Sequence, residues 1–287
     1  MRTWFILLLL FLVATSVKSF AATPVIYAWP KNLATDERGD YPVALLKLAL
    51  EKSGADYQAV PSASVMTQYR TLRQVSTAQG LDVLWTMTTP EREQQLRPIR
   101  IPIDRGLLGW RLFVIQPERA NQFARLPNKA QLQKLMAVQG SDWPDFPVLQ
   151  ANQFKVLGSG DFEGMFRMVK SARIDFFPRS VTEIWPELSQ REALGLAVAP
   201  KWVLHYTAPL YFFVQKDNEE LASAIERGLW KAIEDGSMQE LFLHSFGPAL
   251  DKAALSERTV IELVNPLLPK ETPLDNPLLW FDPAKGY

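Results

Sequence analysis

Short apolar runs of strand length alternate with stretches of helical periodicity along this chain, and no other feature constrains its fold as tightly. Pro24-Val25-Ile26-Tyr27-Ala28-Trp29 reads as a buried strand. Asp40 then stands as N-cap for a helix from about Tyr41, with Pro42 in the first turn, Leu45, Leu48 and Ala49 along one stripe and Gly54 at the stop. Val65, Tyr69, Leu72 and Val75 predict a second helix, which delivers the chain to the strand Leu81-Asp82-Val83-Leu84-Trp85-Thr86-Met87. A new series begins with the strand at Trp110 to Ile115. Met136 to Val138 is the next strand, Gly140-Ser141-Asp142-Trp143-Pro144 opens a helix, and Asp161 starts another with Phe162, Met165, Phe166 and Val169 on one face. Strands at Ile174 to Phe177 and Leu210 to Val214 follow, with the short run Leu196 to Ala199 between them. A long helix buries Ala222, Ile225, Leu229 and Ile233 and ends at Gly236, and Ser237 to Glu240 forms a capping box for a short helix ending near Phe246-Gly247. This order predicts an α/β protein with parallel sheets flanked by helices, and the length predicts two lobes.

The first 21 residues read as a cleavable export signal. Arg2 supplies the basic start, Trp4 to Val13 the apolar run, and Ser19 and Ala21 the small residues before a cut at Ala22. The run is too short to span a bilayer comfortably, so the mature chain is expected to be exported and not inserted in a membrane, and a freely diffusing product points to a Gram-negative periplasm. An uncleaved signal anchor is the alternative. There is no cysteine, hence no disulfide framework and no lipid attachment at the cleavage site. Without Arg2 and Lys18 the chain keeps 29 basic residues against 31 acidic, about −2 in all, which makes no electrostatic case for nucleic acid or an anionic membrane. The two histidines, His205 and His244, are far apart and lack neighbouring acids at ligand spacing, so no metal is expected. Neither a nucleophile elbow nor a phosphate loop is present, and no cofactor is expected.

Chemistry concentrates just beyond the strand ending at Met87, where Thr89-Pro90-Glu91-Arg92 sets a guanidinium at the edge at which open α/β sheets bind ligands. Arg92 can grip a carboxylate through two parallel hydrogen bonds, or it can be a surface arginine paired with Glu91 or Glu93. Around it, Thr88 and Thr89 offer hydroxyls, and Tyr27, Trp29 and Trp85 offer an aromatic wall, with plain core as the alternative for both tryptophans. Ser141 and Asp142 open a helix whose free N–H groups could take the far end of an anion, though Asp142 can equally be its cap, and Ser159 and Asp161 carry the same ambiguity.

The order of elements resembles the family 3 periplasmic solute-binding proteins over about Pro24 to Pro248. Thr89-Pro90-Glu91-Arg92 followed by Arg97-Pro98-Ile99-Arg100-Ile101-Pro102 is similar to that family's Thr-x-Glu-Arg segment and the strand that crosses between lobes. Ala172-Arg173-Ile174-Asp175 is similar to its Gly-x-x-Asp-Ala, and Asn218 to Gly247 to its terminal helix pair. The resemblance implies a two-lobed molecule joined by a two-crossing hinge, with 22–107 and 207–287 in the first lobe and 108–206 in the second. It further implies that a ligand closes the cleft and that Arg92 holds the α-carboxylate of an amino acid.

One departure bears on the ligand. The acid that such receptors place after the strand at Ile174 to hold the ammonium is replaced here by Phe177-Pro178-Arg179-Ser180. A cation would repel an ammonium, so Arg179, with Ser180 beside it, argues for a small ligand anionic at both ends; a surface salt bridge from Arg179 to Asp175 or Glu183 is the alternative. The expected protein is thus a monomeric solute-binding protein, with the membrane subunits of an ABC importer as its macromolecular partner. An enzyme on the same scaffold, resembling periplasmic dehydratases and using an acid such as Glu163 or Glu183, is the second reading, and an accessory sensor the third. The 40 residues after Gly247 have no counterpart in the family pattern; prolines forbid a long helix there, while Leu263, Leu267, Leu268, Leu278, Leu279 and Trp280 predict an extended run docked on one lobe or, alternatively, a partner-binding arm.

Overall fold

The computed structural model describes residues 22–29 and 39–286, so the export signal expected over 1–21 lies outside the described residues. The first sheet has the strand order β2-β1-β3-β11-β4 and is built from β1 (Thr23–Trp29), β2 (Tyr57–Val65), β3 (Val83–Met87), β4 (Leu96–Ile99) and β11 (Leu210–Gln215). Its first three strands are parallel, and β11 runs antiparallel to both β3 and β4. Helix α1 (Asp40–Ser53) connects β1 to β2, α2 (Gln68–Ser76) connects β2 to β3, and α3 (Pro90–Gln95) follows β3. α1 turns out to be capped at Gly54 in the left-handed conformation, as the lone glycine after an apolar stripe requires.

The second lobe is carried by β5 (Trp110–Ile115), flanked by β8 (Phe177–Ser180), β9 (Ala197–Val198) and β10 (Trp202–His205), each antiparallel to it. This sheet is mixed, where mostly parallel pairing was expected. Between β5 and β8 the chain forms α4 (Ala120–Arg125), α5 (Lys129–Leu132), β6 (Met136–Gly140), α6 (Asp145–Ala151), β7 (Lys155–Ser159) and α7 (Phe162–Lys170), with β6 and β7 a parallel pair joined to the sheet edge through Ala137 and Phe176. α8 (Ile184–Ser189) follows β8. The chain crosses between the lobes at residues 100–109 and again at 206–209.

α9 (Glu219–Glu234) packs on α1, burying Leu221, Ile225 and Leu229 against Leu45, Leu46 and Leu50. The approach is close at one point: a Cβ on Gly228 would sit 1.8 Å from the Ala49 carbonyl oxygen. α10 (Ser237–Ala253) is longer than expected, running through Gly247 and Pro248, and Gly236 precedes it in place of a side-chain cap, because the Ser237 hydroxyl bonds Asp235. The tail also differs from expectation. Residues 259–262 form β12 (Thr259–Glu262), which pairs in parallel with β10 in the second lobe, so the segment assigned wholly to the first lobe visits both. Among the described residues no helix is long and apolar enough to cross a membrane.

Candidate functional site

A cavity of about 940 Å³ lies between the lobes, lined on one side by Trp85, Thr86, Met87 and Arg92 and on the other by Arg111, Trp143, Asp145, Arg179 and Glu183. Arg92 reaches it from α3. Thr89 caps that helix by accepting the Arg92 backbone N–H at 3.2 Å, and Pro90 fills its first turn, so the Thr-Pro-Glu-Arg run folds as its residue types dictate. The Arg92 guanidinium is aimed by neutral acceptors. Nη1 donates to Thr86 Oγ1 at 2.9 Å and to the Met87 carbonyl at 2.6 Å, while Nη2 donates to Gln68 Oε1 at 3.4 Å. This leaves Nε–H and one Nη2–H, the edge that matches a carboxylate, without a partner among the described residues. Burial pushes the Arg92 pKa down, opposed by the charges of Asp145, Glu91 and Asp142. The alternative pairing with Glu93 does not form, because Glu93 accepts from Thr88 at 2.7 Å and pairs with Arg100.

Arg179 also lines the cavity, but its charge is already matched. Nε and Nη2 donate to the two oxygens of Glu187 at 2.7 and 2.6 Å, and Nη2 lies 3.0 Å from Glu183. The guanidinium is packed among the rings of Trp143, Phe177 and Phe162 at 5.0, 5.1 and 5.6 Å. Burial opposes the charge; Glu183 and Glu187 outweigh it and hold the pKa above its ordinary value. This geometry commits Arg179 to Glu187 and Glu183, which differs from the expectation of a second anion-holding arginine. Asp175, the other partner considered, pairs with Arg119 instead.

Several other residues expected at the site are placed as follows. Ser180 is fully buried and donates to the Leu107 carbonyl at 3.0 Å. Thr88 and Thr89 are buried in the loop they build, through the bonds to Glu93 and the Arg92 N–H. Tyr27 is buried beside Trp85, with ring centroids 6.2 Å apart, and of the two Trp85 alone lines the cavity. Trp29 ends β1, and its side chain lies outside the described residues. Ser141 and Asp142 are exposed and open no helix, since α6 starts at Asp145 after Pro144. Asp161 is the cap of α7, accepting the Gly164 N–H at 2.9 Å, and Glu163 pairs with Arg191.

Arg111, Asp145 and Tyr206 were missed in the sequence. Arg111 Nε donates to Tyr206 Oη at 3.0 Å and Nη1 to Glu183 at 3.2 Å, and its Nη2 pairs with Asp145, which also accepts from Tyr206. Burial opposes the Arg111 charge, while Asp145, Tyr206 and Glu183 outweigh that and raise its pKa. The available signal was a charge inside the otherwise apolar strand Trp110-Arg111-Leu112-Phe113-Val114. With Arg179, Glu183 and Glu187, three carboxylates and two guanidinium groups interlock behind this wall among the described residues. Among the described residues no group of three or more His, Asp or Glu is placed to hold a metal ion.

No protein-family model and no curated protein matches the sequence. Solved structures do match its fold. The probable amino-acid ABC transporter extracellular-binding protein of Bacillus subtilis superposes with a TM-score of 0.61 at 17% identity, covering 79% of this chain and 98% of that one. An arginine-specific periplasmic binding protein of Salmonella typhimurium gives 0.58 at 16% identity, over 78% and 100% of the two chains. An ancestral amino-acid-binding protein, described as a precursor of cyclohexadienyl dehydratase, gives 0.55 at 15% identity over 78% and 95%. The chain has the two-lobed fold of the amino-acid periplasmic binding proteins.

Proposed function

We propose that this chain is a periplasmic solute-binding protein whose interlobe cleft takes a small carboxylate-bearing solute, delivered to the membrane subunits of an ABC importer. The observation that carries the reading is the uncommitted Nε–Nη2 edge of Arg92, held by Thr86, Met87 and Gln68 on a residue that lines the cleft. The facing wall carries the carboxylates of Asp145 and Glu183, which favour a positively charged or hydrogen-donating group at the solute's other end, as in an amino acid. The solved relatives that bind arginine or lysine support this class.

An enzyme reading needs a cleft carboxyl that holds a proton near neutrality. Asp104 lines the cavity and burial raises its pKa to about 7, yet its two oxygens accept the Gly106 and Leu108 N–H groups at 3.0 and 2.7 Å, which turns it toward the backbone. Binding is therefore the better-supported reading. A thermal-shift screen of amino acids and dicarboxylates on the wild type and Arg92→Ala tests it. A true ligand at a hundred times its dissociation constant adds about 2.7 kcal/mol to the wild type. Loss of the charge-assisted pair in Arg92→Ala weakens affinity by roughly 2 to 5 kcal/mol and cuts the added stability at that concentration to below about 1 kcal/mol. Equal stabilisation of both proteins would count against the site.

A further inference from the structure

The chain after α10 does more than cover a lobe. From α10, whose Phe242 and Phe246 rings pack on Tyr41 of the first lobe, it passes to the second lobe and pairs over Thr259–Glu262 with β10. Val264 exchanges two hydrogen bonds with the Asn152 side chain there, at 2.7 and 3.0 Å. Asn265 then donates to the Thr207 carbonyl at 2.8 Å, within the second interlobe crossing. The chain finally returns to the first crossing. The Phe281 N–H donates to the Arg105 carbonyl at 2.8 Å, the Arg105 guanidinium donates to the Leu278 and Trp280 carbonyls at 3.3 and 3.5 Å, and the Trp280 ring covers Gly106 so closely that a Cβ there would meet it at 2.9 Å. Phe281 lies between Trp110 of the second lobe and Phe242 of the first, with centroids 6.4 and 6.3 Å away.

Arg105 and Gly106 both have positive φ, +54° and +80°, so the tail grips the first crossing at its sharpest bend. A hinge works by changing backbone torsions at a few such residues. We propose that residues 259–281 form a strap that ties both crossings to both lobes and sets the interlobe angle, holding the cleft near one spacing in the absence of solute. A hinge of two strands alone rotates once its torsions are free; this one must also break the Phe281 and Arg105 bonds or drag β12 with β10. The strap stands on the fold and not on the identity of the solute.

The test is an interlobe distance measured without ligand. The chain contains no cysteine, so Arg73→Cys on α2 and Lys170→Cys on α7, both exposed, give one spin-label pair across the lobes. Double electron–electron resonance should report a single narrow distance for the otherwise wild-type protein. Trp280→Ala with Phe281→Ala, and separately a chain ending at Thr272, should broaden it and add a second population. Two populations in the unmodified tail would overturn the proposal, as would an unchanged distribution in folded variants. Should the shortened chain fail to fold, the paired alanine variant and the wild-type width still decide.

Discussion

Replacing Glu187 with alanine tests whether Arg179 belongs to the scaffold or to the ligand. The two side chains are 2% and 5% exposed and share two hydrogen bonds of 2.6 and 2.7 Å. Removing one partner of a buried pair leaves an uncompensated charge and typically destabilises by about 3 to 5 kcal/mol. Glu183, 3.0 Å from the same guanidinium, keeps part of the compensation, which puts the effect near the lower bound. In a chain of this size each kcal/mol moves the melting midpoint by roughly 2 to 4 °C, so a 3 kcal/mol loss lowers it by about 6 to 12 °C. Calorimetric melts of the wild type, Glu187→Ala and the double variant Arg179→Met with Glu187→Leu provide the measurement. The double variant should recover most of the loss, because a well-packed apolar pair leaves no orphaned charge. A Glu187→Ala protein that melts with the wild type would refute the assignment and return Arg179 to the candidate ligand contacts.

Two further outcomes follow from buried geometry. Burial raises the Asp104 pKa to about 7 against its backbone donors and Arg111, so its contribution to stability is fully present below the unfolded value near 4 and is lost as pH rises through 7; this amounts to on the order of 4 kcal/mol, and urea unfolding should show Asp104→Asn with a flatter slope over that window. Gly228→Ala would drive a methyl into the Ala49 carbonyl at 1.8 Å, and moving α9 off α1 to relieve it should cost about 1 to 3 kcal/mol in the same assay; an unchanged midpoint would mean that the helices slide freely.

Local signals were legible in the sequence, and contacts between distant segments were not. β3, β5 and β11 are buried on both faces and stand out as largely apolar runs, whereas β2 is Tyr-Gln-Ala-Val-Pro-Ser-Ala-Ser-Val, an edge strand whose Pro61 and small residues hide it and let Val65 read as helical. Arg92 could be placed because strand, cap and guanidinium lie within ten residues. Tyr206 meets Asp145 across 61 positions and Arg111 across 95, so nothing local marks the three as one network. Ser180 entered as the neighbour of Arg179; its place in β8 beside β5 buries it and gives its hydroxyl to the Leu107 carbonyl. Of the tail's leucines, Leu263 and Leu279 are buried as their apolar runs suggest, while Leu278 is 63% exposed. The tail's parallel pairing with β10 depends on an edge that exists only once the second sheet has formed.

The charges lining the cleft bear on solute classes that Arg92 alone would accept equally. On the proposed reading, a carboxylate seated on Arg92 leaves the solute's other end facing a wall that carries Asp145 and Glu183. A second carboxylate about 4 Å from one negative charge is repelled by roughly 4 kcal/mol at an effective dielectric constant of 20, and an ammonium at the same place is attracted by a similar amount. Their difference, reduced by whatever water remains in the cleft, exceeds the roughly 1.4 kcal/mol that separates tenfold affinities. Arg179 would have reversed this preference had its guanidinium been free. Under the proposed amino-acid reading, Glu183 and Glu187 hold the Arg179 cation of the Phe-Pro-Arg-Ser segment in place, and Asp145 and Glu183, on α6 and just before α8, are the carboxylates proposed to meet the solute's ammonium.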